Sequence, residues 1–373
     1  MARVLFWIFV AAFFAGVLTV ALEIGLRATG FSRPVWYQPD PQLGWKLRPE
    51  TRGWYTEEGR GYVWISPAGL RDRSHDELKP KGAYRVAVLG GATAEAMPVS
   101  FNEAFWWRLE GALQKCAPPG RQVEVMNFGV SGYSTAQANA MLEKVALRYR
   151  PDLVLLAFSA AEDVPQNSAR LAGSKRGPFE GRRVAQWEPY AWMAADRFRI
   201  AQLATIGWSR YEAWRDEQGA QAAGAGAAEA LGAPPSDLAV LAPPRGPAWI
   251  EAWSATDREI ERMHALASSH GANFAVAMVT EPAQVDPDAA ARGRARAALG
   301  VGDLFYPERR IGELGRRDGF LVIPIAEALQ KRAEAERIYF HGFRSAAPGR
   351  GHWNEKGHAA AAAILARTLC AAD

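Results

Sequence analysis

An α/β fold, a parallel sheet with helices on both faces behind one membrane-spanning helix, is what the 373-residue sequence predicts. Three observations carry that expectation. Apolar runs at Val86–Leu89, Val123–Asn127, Leu153–Phe158, Phe274–Val279 and Phe320–Ile325 read as strands. Helical patterns separate them, and strand–helix alternation repeated about five times implies parallel strands with helices on both faces. Ahead of all this lies an uncharged apolar run, Val4–Leu22, long enough to cross a bilayer as a helix.

Each element follows in order. Arg3 precedes the apolar run, and Glu23 and Arg27 follow it, four apart on one helix face. Ala15–Gly16 falls in mid-run and "EIGLRATG" continues the helical pattern, so residues 1–30 read as an uncleaved signal anchor. The expected placement is a single pass through the inner (cytoplasmic) membrane, with the amino terminus cytoplasmic and the bulk of the chain periplasmic. Residues 31–84, rich in Pro, Gly and Trp, read as an extended juxtamembrane arm with short strands ending in "ISPAGLRD". The regular domain spans 85–373. Ser100 with Glu103 forms a capping box that opens a helix with Phe105, Leu109, Leu113 and Cys116 on one stripe. A second helix starts near Ser134, carries Ala138, Met141 and Val145, and stops before Pro151. Leu153–Phe158 is continuously apolar, as a strand covered on both faces should be. Residues 168–248 interrupt the rhythm as an insertion, with a low-complexity stretch at 217–235. Trp208, Tyr211 and Trp214 are spaced by three and share one face, as a packing stripe or an aromatic platform. A helix from about Ser254 holds Ile260, Met263 and Leu266, and "NEKGHAAAAAILARTLC" closes the chain as a helix.

Composition narrows the function classes. The formal charge of +4 is mildly basic. No Lys/Arg block with interleaved aromatics runs along the chain, so a nucleic-acid partner is not expected. Cys116 and Cys370 lie in no CxxC or Cys/His cluster, so neither a metal site nor a cofactor is expected from them. They read as two buried thiols or, in an oxidising compartment, a disulfide.

Four segments fall at carboxyl ends of strands, where open parallel sheets bind ligands. They are "GGATAEA", "NFGVSGYST", "FSAAEDVPQN" and "GRGHWNEKGH". With "GLRDRSHDELKPKGAYRVAVLGG", "RPDLVLLAF" and "HWNEKGH", the chain resembles the SGNH/GDSL hydrolase superfamily, in particular its membrane-anchored bacterial branch, from "LRATGFSRP" to the end. The resemblance implies a flavodoxin-like, doubly wound αβα sandwich. It also implies acyl-ester hydrolysis or transfer by a serine, a histidine base with its orienting aspartate, and an oxyanion hole.

Carried over position by position, the resemblance implies a dismantled centre. Gly90 matches the first position of the nucleophile turn, Gly91 stands for its aspartate and Ala92 for its serine. Gly132 matches the oxyanion glycine, and Glu162 replaces the oxyanion asparagine, followed by Asp163. His352 matches the base, with Arg350 in place of its orienting aspartate. Ala92 has no atom that can attack a carbonyl. Glu162 would repel an oxyanion, and Arg350 would disfavour an imidazolium at His352. Thr93 is the candidate substitute nucleophile. Ser131 is a second hydroxyl, with turn hydrogen bonding as its ordinary role. Glu162 with His352 could form an acid/base pair, but an ion pair between Glu162 and Arg350 across the old cleft is the simpler expectation. In a flavodoxin-like order the helices ending at Cys116 and Cys370 lie side by side, which implies a disulfide.

These readings lead to an extracytoplasmic, membrane-anchored domain without serine hydrolase activity, binding an envelope glycan, an acylated ligand or a partner protein. The alternatives are an acyl esterase or O-acetyltransferase on cell-envelope polysaccharide with a relocated nucleophile, and an accessory subunit of a membrane assembly.

Overall fold

The computed structural model describes residues 2–168, 170–171, 188–205, 207, 211, 236–343 and 348–372. Trp208, Trp214 and the stretch 217–235 lie outside the described residues. Five parallel strands form the central sheet: β5 (Tyr84–Gly90), β6 (Val123–Asn127), β7 (Leu153–Ser159), β8 (Asn273–Val279) and β9 (Leu321–Pro324). Their spatial order is β6-β5-β7-β8-β9, the doubly wound, flavodoxin-like arrangement. β5 and β7 lie in the interior of the sheet and are paired through Val86↔Leu153 to Gly90↔Ala157.

The period-2 alternation of a strand divides the core in two. Ala87, Leu89, Val154, Leu156, Val276 and Met278 face one layer, with Met141, Ile260, Met263 and Ile311 from helices over them. Val86, Val88, Leu153, Leu155, Ala275 and Ala277 face the other, under Phe105, Leu109, Leu329 and Leu365. Both faces of β5 and β7 are buried, which is why they read as apolar runs. Truncating a residue such as Leu156, with no exposed surface, to alanine costs about 2–5 kcal/mol.

The helices follow local signals. The Ser100/Glu103 capping box closes on a 3-10 turn, Phe101–Glu103, and α3 (Phe105–Cys116) begins after it. Ser134 caps α4 (Thr135–Lys144) with Gln137 as the reciprocal partner. The helix expected from Ser254 starts earlier, at Pro247, because proline suits the first helical position. Three helices between β8 and the end were not anticipated: Ala289–Leu299, Tyr306–Asp318 and Ala326–Glu336. The first has few apolar residues. The second carries a legible stripe, with Ile311 and Leu314 buried. Cys116, at the end of α3, is bonded to Cys370 of the C-terminal helix Glu355–Ala372, with the Cα atoms 6.0 Å apart.

α1 (Ala2–Ala28) is long and apolar enough to cross a membrane, with a mean hydropathy of 2.5 and no part of that window buried. Its C-terminal end is tied down. Glu23 accepts the backbone N–H groups of Arg199 and Ile200, each at 3.0 Å, and pairs with Arg27 at 2.6 Å. The arm then forms two antiparallel hairpins, β1 (Tyr37–Asp40) with β2 (Gly44–Leu47), and β3 (Arg52–Tyr55) with β4 (Gly61–Trp64). Both fold onto the domain. Trp45 Nε1 donates to the carbonyl of Ser131 at 3.0 Å. The inner side of the second hairpin carries glycine where it comes closest to the domain, because a Cβ on Gly61 would stand 2.4 Å from the Val99 carbonyl oxygen, while Val63 beside it is buried.

Candidate functional site

β5 ends in Gly90–Gly91 and the one-turn α2 (Ala92–Glu95). Gly90 adopts φ +147°, and a Cβ there would stand 2.6 Å from the Ala157 carbonyl oxygen, so the turn demands glycine. The arm braces it from behind. Buried Arg71, in the "GLRD" stretch, donates to the carbonyls of Glu95 at 2.9 Å and Val99 at 2.6 Å. Asp72 accepts from the Asn127 backbone at 2.9 Å. Glu95 is fully buried and bonded to Tyr37 at 2.9 Å and to the Ser131 hydroxyl. Burial pushes its carboxyl up to about 7 against those bonds.

Across the cleft, β7 delivers α5 (Ala160–Gln166). Asp163 is buried inside its first turn, accepting from Ser159 N at 2.9 Å and Thr135 Oγ1 at 3.1 Å. Burial drives its carboxyl well above the ordinary range. Glu162, next to it, points outward to the turn after β5. Its Oε2 would lie 2.9 Å from a Cβ at position 91. Glycine at 91 and glutamate at 162 are therefore sterically linked: a side chain at 91 would have to displace the Glu162 carboxylate.

His352 completes the centre. A network in the "HWNEKGH" segment fixes its loop. His341 Nδ1 donates to the Gly351 carbonyl at 2.7 Å, and its Nε2 accepts from Thr280 Oγ1 at 2.8 Å. Trp353 Nε1 donates to that same Thr280 oxygen at 2.7 Å. Burial holds His341 down at about 4, so it is neutral. Asn354 Oδ1 caps the C-terminal helix at the N–H groups of Lys356 and Gly357, and His358 Nδ1 accepts from Phe105 N at 3.2 Å.

The His352 ring lies between two carboxylates. Nε2 meets Glu162 Oε1 at 3.1 Å. Nδ1 is bonded to Glu58 Oε2, and Glu58 Oε1 also accepts the His352 backbone N–H at 2.6 Å. Burial alone would lower the imidazole pKa; the hydrogen bonds and charges of Glu162 and Glu58 outweigh it and hold it at about 10. Reciprocally, the hydrogen bond and charge of His352 overcome burial and keep the Glu58 carboxyl below its ordinary value. At neutral pH His352 is an imidazolium with both N–H groups committed, and it has no lone pair with which to accept a proton.

Several expectations need correction. Glu162 and Arg350 form no ion pair. Glu162 is taken by His352, while Arg350 is exposed on a turn between Gly349 and Gly351, both with positive φ, and pairs with no described residue. Nor is the imidazolium disfavoured, because the Nδ1 position is filled by Glu58 from the arm rather than answered by Arg350. Gly351 makes that approach feasible, since a Cβ there would overlap the Glu58 carboxylate. Thr93 is buried and has no hydrogen bond to His352, and the Ser131 hydroxyl belongs to Glu95. Gly132, at φ +81°, keeps its place in the loop after β6. Ala92 starts α2 and brings no functional group. Sequence reasoning missed Glu58 altogether. It lies 294 residues from its partner, and its only local sign is a hairpin turn between aromatic strands. Among the described residues no group of His, Cys, Asp and Glu is arranged to hold a metal ion.

No protein-family model matches the sequence, and no curated protein matches it. Solved structures do resemble it in overall shape. One is an acetylxylan esterase from Geobacillus stearothermophilus, at 10% identity and a TM-score of 0.41, covering 79% of this chain and 96% of that one. A putative lipolytic protein of the G-D-S-L family from Desulfitobacterium hafniense aligns at 11% identity and a TM-score of 0.37, over 76% and 99% of the two chains. A lipase/acylhydrolase from Enterococcus faecalis aligns at 12% identity and 0.39, over 78% and 96%.

Proposed function

We propose that this chain is a membrane-anchored SGNH/GDSL-type domain without serine hydrolase activity, whose former catalytic histidine now works as an ionic fastener. The carrying observation is the double clamp on His352. An ester hydrolase of this type needs a neutral imidazole with a hydroxyl at Nε2. Here Nε2 meets Glu162, and alanine stands where the hydroxyl would be. The organisation we favour is an anchor over 1–30, an arm over 31–84 that supplies Glu58, and the sandwich over 85–373. A periplasmic location for the bulk is supported by the Cys116–Cys370 pairing, since oxidising compartments retain disulfides. The role that remains for such a domain is binding: an envelope glycan, an acylated ligand or a membrane-protein partner.

The test is hydrolysis of p-nitrophenyl acetate by the full chain in detergent. The expected rate equals that of His352→Gln. A rate above it that Thr93→Ala or Ser131→Ala abolishes would overturn the proposal in favour of a relocated nucleophile. Among the described residues the esterase reading has no hydroxyl hydrogen-bonded to His352 to support it.

A further inference from the structure

The hairpin that carries Glu58 at its turn displays a second feature on its outer side. Alternation along β3 and β4 sends Arg52, Trp54, Tyr62 and Trp64 outward, and the register sets Arg52 opposite Trp64 and Trp54 opposite Tyr62. Trp54 is 36% exposed, and Tyr62 and Trp64 are each 45% exposed. Where this face meets the domain there is a groove of about 570 Å³ lined by Arg52, Tyr62, Trp64, Arg73, Phe101 and Trp107.

The lining has one chemical character. Arg52 pairs with no described residue. Arg60 lies over the Trp54 ring, 5.0 Å from its centroid, and Arg73 over Trp107 at 5.3 Å. The nearby carboxylate, Glu110, is engaged by Arg73. Apart from the Tyr62 hydroxyl the lining side chains are donors or apolar rings; it offers no carboxylate and no side-chain amide. A base edge, which presents N–H donors, would find almost no acceptors there. A ligand rich in acceptors, with a flat C–H face for the rings and a carboxylate for the guanidinium fork, fits both halves of the lining.

We propose that this groove is a binding site for an acidic saccharide, its sugar ring on Trp64 and its carboxylate on Arg52. The proposal holds whether or not the His352 centre turns over a substrate, because none of the groove residues touches that ring.

Tryptophan fluorescence of the full chain in nanodiscs of neutral lipid, titrated with tetragalacturonate and with the uncharged cellotetraose, tests it. Saturable binding of tetragalacturonate is expected, at least ten times tighter than that of cellotetraose. Arg52→Gln should weaken it about five-fold or more, and should close most of the gap between the two sugars. Trp64→Ala should weaken it about ten-fold, read by calorimetry because a fluorophore is lost. Both positions are exposed, and an unchanged melting temperature verifies folding. Equal affinity for the two sugars, no saturable binding, or tighter binding of adenosine monophosphate would overturn the proposal. So would a blue shift on discs of anionic lipid that either variant removes, which would assign the face to the membrane surface.

Discussion

Glu162 and Glu58 together keep His352 protonated. Removing the carboxylate by Glu58→Gln takes one of the two negative charges off the ring and leaves Glu162 alone to hold the proton. The ring pKa should fall well below its value of about 10, and the change is readable from the imidazole nitrogen shifts. Stability should follow the same proton. An unfolded histidine titrates near 6.5, so the clamp contributes its full stabilisation below that pH. The contribution declines above it and is gone once the pH has risen through about 10. Glu58 works at the other end: its lowered carboxyl contributes above the ordinary range and is lost as pH falls through its depressed value. Buried Glu95 and Glu281, both raised to about 7, also make stability fall with rising pH, but between about 4.5 and 7. Buried Glu308 and Asp163 are raised as well, so the share that belongs to His352 is read from the difference between the wild type and His352→Gln, which have these carboxyls in common. Denaturant unfolding should show the wild type losing stability from pH 7 to 10, and His352→Gln losing much less over that window.

Two glycines at the same scale report the geometry. Gly351→Ala puts a side chain into φ +77° and into the Glu58 carboxylate, and should cost about 1–3 kcal/mol in urea unfolding. At Gly91→Ala the obstacle is the flexible end of Glu162. The expected result is a smaller loss of stability and a lower His352 pKa, as the carboxylate moves off Nε2. These residues also mark where sequence reading stopped. Gly91, Glu162 and His352 were recognisable because their segments sit at strand ends. Their mutual fit was not, because it depends on which way one carboxylate points. Opposite formal charges at 162 and 350 suggested a bridge. The positive-φ glycines flanking Arg350 turned it out to solvent, and a charge pattern along a chain does not reveal such a turn.

Among the elements, the strands were the most legible. Those buried on both faces must be apolar throughout, and Leu153–Phe158 could not be otherwise. The helices Ala289–Leu299 and Ala326–Glu336 were not seen because the first buries only Arg292 and Leu299 and the stripe of the second, Ala326, Leu329 and Ala333, has one large apolar residue. The arm was legible as strand-prone but not as part of the site, since its role is set by tertiary docking. The link between α3 and the C-terminal helix closes a loop of 254 residues. Such closures contribute about 2–5 kcal/mol through the unfolded chain. Cys116→Ser with Cys370→Ser should lower the denaturant midpoint accordingly. A midpoint equal to that of the oxidised wild type would mean that the thiols are free in solution.

For the whole molecule, one consequence is that α1, the two hairpins and the sandwich form a continuous chain of contacts. Glu23 at the end of α1 holds Arg199 and Ile200, the arm's hairpins lie on the loops after β5 and β6, and Glu58 reaches the loop before the C-terminal helix. The His352 centre thus joins an early part of the chain to a late one. Its charges are arranged for cohesion, one imidazolium held between the carboxylates of Glu58 and Glu162. That claim is tested most directly by titrating His352 in the full chain by nitrogen-15 NMR of the histidine rings. The account predicts a doubly protonated imidazolium at pH 7.5, still protonated at pH 8.5, with a pKa near 10. A neutral ring at pH 7.5, with a pKa near 6.5 and one nitrogen free to accept a proton, would contradict it.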